Sequence, residues 1–185
     1  MKRLLFSLLF LASSSASAQN SASTTVRVEV NAVVAPVDSI LNWVPINDLL
    51  TTGGQMSYGQ IPLLEEAGFD AIVSLASANA EVNGLEAHYV VKEGMMFTQV
   101  PMEGSPDRVE LQQFFDALQA QSGRKVFVHC NSNRRASAFT FLYRVIVLGE
   151  DEATARKDME TIWNPDESET WRPFFDEVLE REPDN

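Results

Sequence analysis

A short apolar strand, a small polar loop and an apolar helix follow one another in this chain and constrain its fold most. Lys125 to Val128 (KVFV) are predicted to form the strand, and residues 136–148 (ASAFTFLYRVIVL) the helix, which is apolar on nearly all sides. Both elements are of the buried type, so the strand belongs inside a sheet and the helix against it. Apolar runs and helix signals alternate in the rest of the chain. This alternation predicts an α/β fold with a mostly parallel central sheet covered by helices on both faces.

The elements around this unit follow from apolar runs, turn residues and helix caps. The other predicted strands are Ile46 to Thr51, Ala71 to Ala76 and Met96 to Met102. The first predicted helix is capped by Ser57 and runs to Ala67, and the second runs from Leu85 to Lys92. The third is capped by Ser105 and carries an apolar stripe formed by Leu111, Phe114, Phe115 and Leu118. Two further amphipathic helices are predicted over residues 151–163 and 169–181.

The amino terminus has the composition of an export signal. Residues 1–18 combine the basic pair Lys2 and Arg3, an apolar run and the small-residue end Ala16-Ser17-Ala18, as in a secretory signal peptide. The apolar run is shorter than the roughly 20 residues that span a bilayer. We therefore expect cleavage after Ala18, a periplasmic or secreted product and no stable membrane insertion after cleavage. Residues 19–39 are expected to be a flexible lead-in, and residues 40–185 to form one domain.

Charge and cysteine content exclude several classes of function. With 14 Lys and Arg against 26 Asp and Glu, the formal net charge is −12, which argues against a nucleic-acid partner. The single cysteine cannot form an intramolecular disulfide or a multi-cysteine metal site. The only two histidines, His88 and His129, have no carboxylate and histidine cluster beside them. We expect neither a metal nor a cofactor.

Residues 129–135 (HCNSNRR) place the cysteine between the end of the predicted strand and the start of the predicted helix. Ligands bind at the carboxyl ends of parallel strands, and the N–H groups of such a loop and of the following helix can converge on one anion. Asn133 tolerates the left-handed backbone that such a loop needs. The helix start, His129 and the two arginines favour the thiolate of Cys130. Arg135 can present a two-pronged donor to a tetrahedral oxyanion.

This loop resembles the signature of the cysteine-dependent protein tyrosine and dual-specificity phosphatases, which is His-Cys, five residues and Arg. Only four residues separate Cys130 from Arg135, and Asn133 stands where glycine is usual. The sequence is therefore most similar to a bacterial short-loop group that includes the phosphatase-like domain found beside metallo-β-lactamase-like hydrolases. Residues 50–55 (LTTGGQ) and 67–75, with Ala-Gly-Phe before a strand, resemble the opening of the same group. The resemblance implies a dual-specificity-phosphatase-like fold.

The resemblance also implies roles for individual residues. Cys130 would be the nucleophile that forms a phosphocysteine, and Arg135 would bind the phosphate and stabilise the transition state. The phosphate-binding loop would comprise Asn131, Ser132, Asn133, Arg134 and Arg135, chiefly through its backbone N–H groups.

The general acid implied by the resemblance lies on the loop after an earlier strand. Glu103 is in the matching place and Asp107 is the second choice, although the family usually has Asp there. Ser137 is displaced by one residue from the hydroxyl that commonly follows the arginine, and it would assist release of the thiolate. His129 would fix the loop by hydrogen bonding.

Three functions are consistent with this pattern. The leading one is an exported phosphatase that hydrolyses phosphomonoesters of a protein or small molecule through a cysteinyl-phosphate. The first alternative is a rhodanese-type sulfurtransferase carrying a Cys130 persulfide, because rhodaneses also place a cysteine four residues before an arginine. The second is a non-catalytic oxyanion- or phosphoprotein-binding pseudophosphatase, because the loop is shortened and the acid is atypical.

Overall fold

The computed structural model describes residues 34–180. The predicted signal peptide and most of the predicted lead-in lie outside the described residues, so the cleavage site and the domain boundary stay predictions. The strands are β1 (Val44–Asn47), β2 (Leu50–Gly53), β3 (Ala71–Ser74), β4 (Met96–Gln99) and β5 (Val126–His129). The helices are α1 (Ile61–Glu66), α2 (Ala80–Lys92), α3 (Arg108–Gln119), α4 (Arg134–Ile146), α5 (Glu152–Glu160) and α6 (Trp171–Val178).

The five strands form one sheet in the order β1-β2-β5-β3-β4. Neighbouring strands are parallel throughout, except that β1 runs antiparallel to β2. Strand β5, which precedes Cys130, lies in the middle of the sheet, as its apolar sequence predicted. The predicted α/β class and mostly parallel sheet are confirmed.

Alternate residues of β5 face two separate apolar layers, because successive side chains of a strand point to opposite faces. Val126 and Val128 belong to a core layer that includes Phe114 of α3 and Phe139 of α4. Phe127 belongs to the layer on the other face, with residues of α1 and α2. Helices thus cover both faces of the sheet, as predicted.

The predicted strand from Ile46 to Thr51 is wrong, because the chain reverses within it. Strands β1 and β2 form an antiparallel hairpin in which Asn47 pairs with Leu50. The Asn47 side-chain oxygen accepts a hydrogen bond from the Leu49 N–H at 2.9 Å, the local turn that asparagine favours.

Two predicted helix starts are also wrong. Helix α2 begins at Ala80, not Leu85, because Asn79 accepts hydrogen bonds from the N–H groups of the first turn. Helix α3 is capped by Asp107, not Ser105. The Asp107 carboxylate accepts the Glu110 N–H at 2.8 Å while Glu110 accepts the Asp107 N–H, which is a reciprocal capping box.

Candidate active site

The carboxyl ends of the parallel strands lie level with one another. Gly53 pairs with His129, His129 with Ser74, and Ser74 with Gln99. The loops that follow β2, β3, β4 and β5 therefore leave the sheet at the same edge, which is where parallel sheets bind ligands.

Two glycines allow the β2 loop to pack tightly against the β5 loop. A Cβ at Gly53 would lie 2.8 Å from the Phe127 ring, and a Cβ at Gly54 would lie 3.0 Å from the carbonyl oxygens of Asn131 and Leu41. The Gln55 N–H also donates to the Asn131 carbonyl at 3.1 Å. Only glycine permits this close approach, so the Gly-Gly pair has a packing role beyond ending a strand.

Asn133 closes the loop with a left-handed backbone, at φ 67°. Its side-chain amide donates to the Asn42 carbonyl at 2.7 Å and to the Thr52 hydroxyl at 3.0 Å. Asn133 is fully buried. It therefore performs the conformational task of a glycine while tying the loop to the β1 and β2 region.

Cys130 lies on the floor of a cleft of about 490 Å³. Only 1% of the residue is exposed, so Cys130 is reached from the cleft alone. Gly104, Ser132 and Trp171 are among the other lining residues. No residue in 34–180 accepts a hydrogen bond from the backbone N–H groups of Asn131, Ser132, Arg134 and Arg135. These donors have the arrangement that lets a helix start bind an anion.

Arg135 reaches across the cleft to the loop after β4. Its Nη1 donates to the Met102 carbonyl at 2.7 Å and to the Ser77 hydroxyl at 3.2 Å, and its Nη2 donates to the Asn131 side-chain oxygen at 3.0 Å. These acceptors are uncharged, so they orient the guanidinium without neutralising it. Cys130 and Arg135 line the same cleft, as the sequence pattern led us to expect.

Arg134 and Ser137 occupy the first turn of α4. The Arg134 guanidinium lies 4.4 Å from the centre of the Trp163 ring, and Trp163 Nε1 donates to the Arg134 carbonyl at 2.9 Å. The Ser137 hydroxyl donates to the same carbonyl at 3.1 Å. Trp163 also lines the cleft.

The two acids proposed from the sequence lie on the loop between β4 and α3, and neither lines the cleft. Glu103 is exposed, and its Oε1 accepts the Ala78 N–H at 2.8 Å, which joins this loop to the loop after β3. The Asp107 carboxylate is engaged as the cap of α3. The Glu103 carboxylate, unlike that of Asp107, does not cap a helix.

Sequence reasoning missed the partner of His129. Nε2 of His129 lies 2.6 Å from Oε1 of Glu86 on α2, and both side chains are fully buried. The other Glu86 oxygen accepts a hydrogen bond from the Gln55 side chain at 3.2 Å. The structure thus gives His129 a buried ion-pair contact with Glu86, and its role in fixing the loop by hydrogen bonding stays a prediction.

Glu110, a second acid missed from the sequence, has a raised pKa. Partial burial is the main cause, and the nearby negative charge of Asp107 adds to it. Backbone N–H groups at Asp107 and Glu103 and the positive charge of Arg135 act in the opposite direction. Its one sequence signal was its position three residues after Asp107, as in a capping box.

No group of three or more His, Cys, Asp and Glu side chains in residues 34–180 is placed to hold a metal ion. Within the same range, every helix is too short or too polar to cross a bilayer.

Several solved structures have a fold similar to that of this chain. A DUF442 protein from Shewanella putrefaciens, proposed to be a phosphatase, is 27% identical, with a TM-score of 0.68 over 78% of this chain and 93% of that one. The catalytic domain of the PP-IP phosphatase SIW14 from S. cerevisiae is 15% identical, with a TM-score of 0.61 over 80% and 92%. TpbA of P. aeruginosa in complex with phosphotyrosine is 20% identical, with a TM-score of 0.54 over 65% and 72%.

No protein-family model matches the sequence, and neither does any curated protein. The described chain nevertheless has the fold of the cysteine-dependent protein tyrosine and dual-specificity phosphatases. The resemblance stated from the loop is confirmed at this level. Membership of the short-loop group stays a prediction.

Proposed function

We propose that this protein is a metal-independent phosphatase that hydrolyses phosphomonoesters through a cysteinyl-phosphate on Cys130. The observation that carries the proposal is the position of Cys130 on the floor of a cleft that Arg135 also lines, with unpaired N–H groups between them. The similarity to solved phosphatases supports it, as does the phosphotyrosine in the TpbA complex.

In the first step, the Cys130 thiolate attacks the phosphorus atom. The S–P bond forms while the ester P–O bond breaks. The loop N–H groups and the Arg135 guanidinium bind the phosphoryl oxygens and stabilise the charge that spreads over them in the transition state. Because Met102 and Asn131 already orient this guanidinium, little reorganisation is needed when the phosphate arrives.

The leaving oxygen takes a proton from Glu103, which acts as the general acid. In the second step, water attacks the phosphocysteine, gives its proton to the Glu103 carboxylate and forms a new P–O bond. The S–P bond breaks, so inorganic phosphate leaves and the thiolate is restored. Glu103 bonds to the Ala78 N–H, so it must turn toward the cleft to act.

The substrate is a phosphorylated protein or small molecule in the compartment to which the chain is exported. The signal-like residues 1–18 are the basis for the periplasm or the exterior. An unpaired cysteine is unusual in such compartments, where cysteines usually form disulfides. Retention of Cys130 as a reactive group accounts for its presence.

The test compares the mature protein with a Cys130→Ser variant on p-nitrophenyl phosphate. We expect turnover by the native chain, none above background by the variant, and similar urea unfolding midpoints for both. Unchanged turnover by the serine variant would refute the mechanism. A parallel assay with thiosulfate and cyanide tests the sulfurtransferase alternative, which requires Cys130-dependent thiocyanate. Phosphate binding without turnover of any phosphomonoester would favour the pseudophosphatase.

A further inference from the structure

Arg134 is a positively charged side chain held in a fixed place beside the cleft. Its guanidinium stacks 4.4 Å from the centre of the Trp163 ring, and the Trp163 indole N–H donates to the main-chain carbonyl of Arg134. Trp163 is itself packed edge to face against Trp171, with ring centres 5.4 Å apart. A long, flexible side chain is thereby restrained before any ligand binds, which lowers the entropy cost of using it in binding.

The charge of Arg134 is not neutralised by the protein. In a chain with many more acidic than basic residues, other arginines lie beside carboxylates, namely Arg108, Arg144, Arg156 and Arg172. No carboxylate of residues 34–180 comes within 4.0 Å of the Arg134 guanidinium. An exposed arginine that faces a cleft without an acidic partner is suited to bind an anion.

Two adjoining cavities meet at this arginine. The cleft above Cys130 continues into a side pocket of about 390 Å³, and Arg134, Trp163 and Ser168 line both. A phosphate on Cys130 therefore leaves much of the cleft open, with Arg134 along its wall. Glu167 lines only the side pocket and disfavours an anion deep inside it. The favourable position for a second anion is the cleft side of Arg134.

We propose that the substrate carries a second anionic group, a phosphate or a carboxylate, which Arg134 binds while Arg135 and the loop hold the scissile phosphate. This inference rests on the proposed phosphatase function. It names a class of substrate, phosphomonoesters with a further negative charge near the ester. Such a group is present both in small bisphosphates and in phosphopeptides with an adjacent acidic residue.

The test uses pairs of substrates that differ in one negative charge, at constant ionic strength. One pair is phenyl phosphate and 1,3-phenylene bisphosphate, and the other is a phosphotyrosine peptide with Glu or Gln beside the phosphotyrosine. We expect kcat/KM to be about tenfold higher for the more anionic member of at least one pair, since bidentate arginine pairs are strong. The pair with the larger ratio identifies the source of the anion.

Variants assign the preference to Arg134. Arg134→Met should reduce the ratio of the two kcat/KM values to about one, because its unbranched side chain keeps bulk against Trp163 without charge. Glu167→Gln should raise the ratio. Arg124→Met is the matched control, because Arg124 lines a different cavity at the far end of β5, and it should leave the ratio unchanged. A native ratio near one, or a ratio that survives in Arg134→Met, would overturn the proposal.

A binding measurement separates this proposal from the proposed function. Cys130→Ser protein is titrated calorimetrically with the same two aryl phosphates. If the native chain turns over no phosphomonoester, the phosphatase proposal fails, but tighter binding of the bisphosphate that is lost in Cys130→Ser/Arg134→Met still supports the anion site. Equal binding of both ligands refutes the site even where turnover is robust.

Discussion

Oε1 of Glu86 and Nε2 of His129 lie 2.6 Å apart, and neither side chain is exposed to solvent. His129 immediately precedes Cys130, and Glu86 belongs to α2, which packs on the opposite side of the sheet from α4. Gln55 links this pair to the loop, because its side chain donates to Glu86 and its backbone N–H donates to the Asn131 carbonyl. The buried pair of Glu86 and His129 thus positions the loop that begins at Cys130 from the side of the sheet that α2 covers.

Removing the acidic member of this pair should destabilise the fold strongly. Glu86→Ala leaves His129 buried without its partner, and breaking a buried pair in this way costs about 3–5 kcal/mol. Glu86→Gln should cost less, because the amide oxygen still accepts a hydrogen bond. Urea unfolding at pH 7 measures both. Glu81→Ala, at an exposed site in the first turn of α2, is the control and should cost under about 1 kcal/mol. Equal costs for the two alanine variants would contradict a structural role for the pair.

A methyl group at Gly54 should disturb the loop, because it would lie 3.0 Å from two carbonyl oxygens. We expect Gly54→Ala to cost about 1–3 kcal/mol, as overpacking does, and to lower phosphatase turnover. Gly84→Ala in the exposed interior of α2 is the matched control, because nothing lies within 4 Å of its added Cβ. That change should stabilise the protein by about 0.5–1 kcal/mol. Thermal and urea unfolding measure the change in stability of each variant, and we expect the two changes to have opposite signs. Destabilisation by both substitutions, or stabilisation by both, would contradict this account.

Two substitutions at Asn133 separate its backbone conformation from its hydrogen bonds. Asn133→Gly loses the hydrogen bonds to Asn42 and Thr52 but readily adopts the left-handed backbone. Asn133→Ala loses the same hydrogen bonds and also disfavours that backbone conformation. We expect alanine to be about 1 kcal/mol less stable than glycine, which reflects the left-handed strain. Equal stability of the two variants, measured by urea unfolding, would mean that the positive φ imposes no strain.

Structural features that depend on residues adjacent in the sequence were predictable from the sequence. A buried strand, a cysteine, a short loop and a helix follow one another within residues 125–148, so Cys130 and Arg135 had to meet at the edge of the sheet. The resemblance in the loop led to the same fold. The wrong cap predicted for α3 arose because Ser105 and Asp107 have similar capping propensity.

Contacts between distant segments were not predictable in the same way. Glu86 lies 43 positions before His129, and nothing in the helical pattern around Glu86 marks it as facing the sheet. The contact of Trp163 with Arg134 was likewise not predictable, because it depends on how the chain returns after α5. Periodicity gives the face of an element, whereas the partner of a buried polar group is set by the tertiary fold.

Charge alone should not replace the guanidinium of Arg135. Arg135→Lys retains the positive charge but loses the planar fork that contacts Met102 and Asn131 together. We expect kcat/KM for p-nitrophenyl phosphate to fall by about 10²–10³, the effect of removing a donor that stabilises transition-state charge. Arg124→Lys, far from the cleft, is the control. Near-native activity of Arg135→Lys would show that a positive charge is sufficient.

The identity of the general acid can be determined from leaving groups. Glu103→Gln removes the proton donor but keeps an oxygen for the Ala78 N–H, so the loop should keep its structure. A missing general acid typically costs about 10²–10⁴ in rate. We expect that loss in kcat/KM for aryl phosphates with strongly basic leaving groups and a much smaller one for p-nitrophenyl phosphate.

Asp107→Asn is the matched comparison for this prediction, because asparagine caps helices as well as aspartate does. If Glu103 is the acid, the logarithm of kcat/KM should fall steeply with leaving-group basicity in Glu103→Gln and shallowly in Asp107→Asn. The reverse result would assign the proton to Asp107, whose carboxylate would then have to leave its capping position during the reaction.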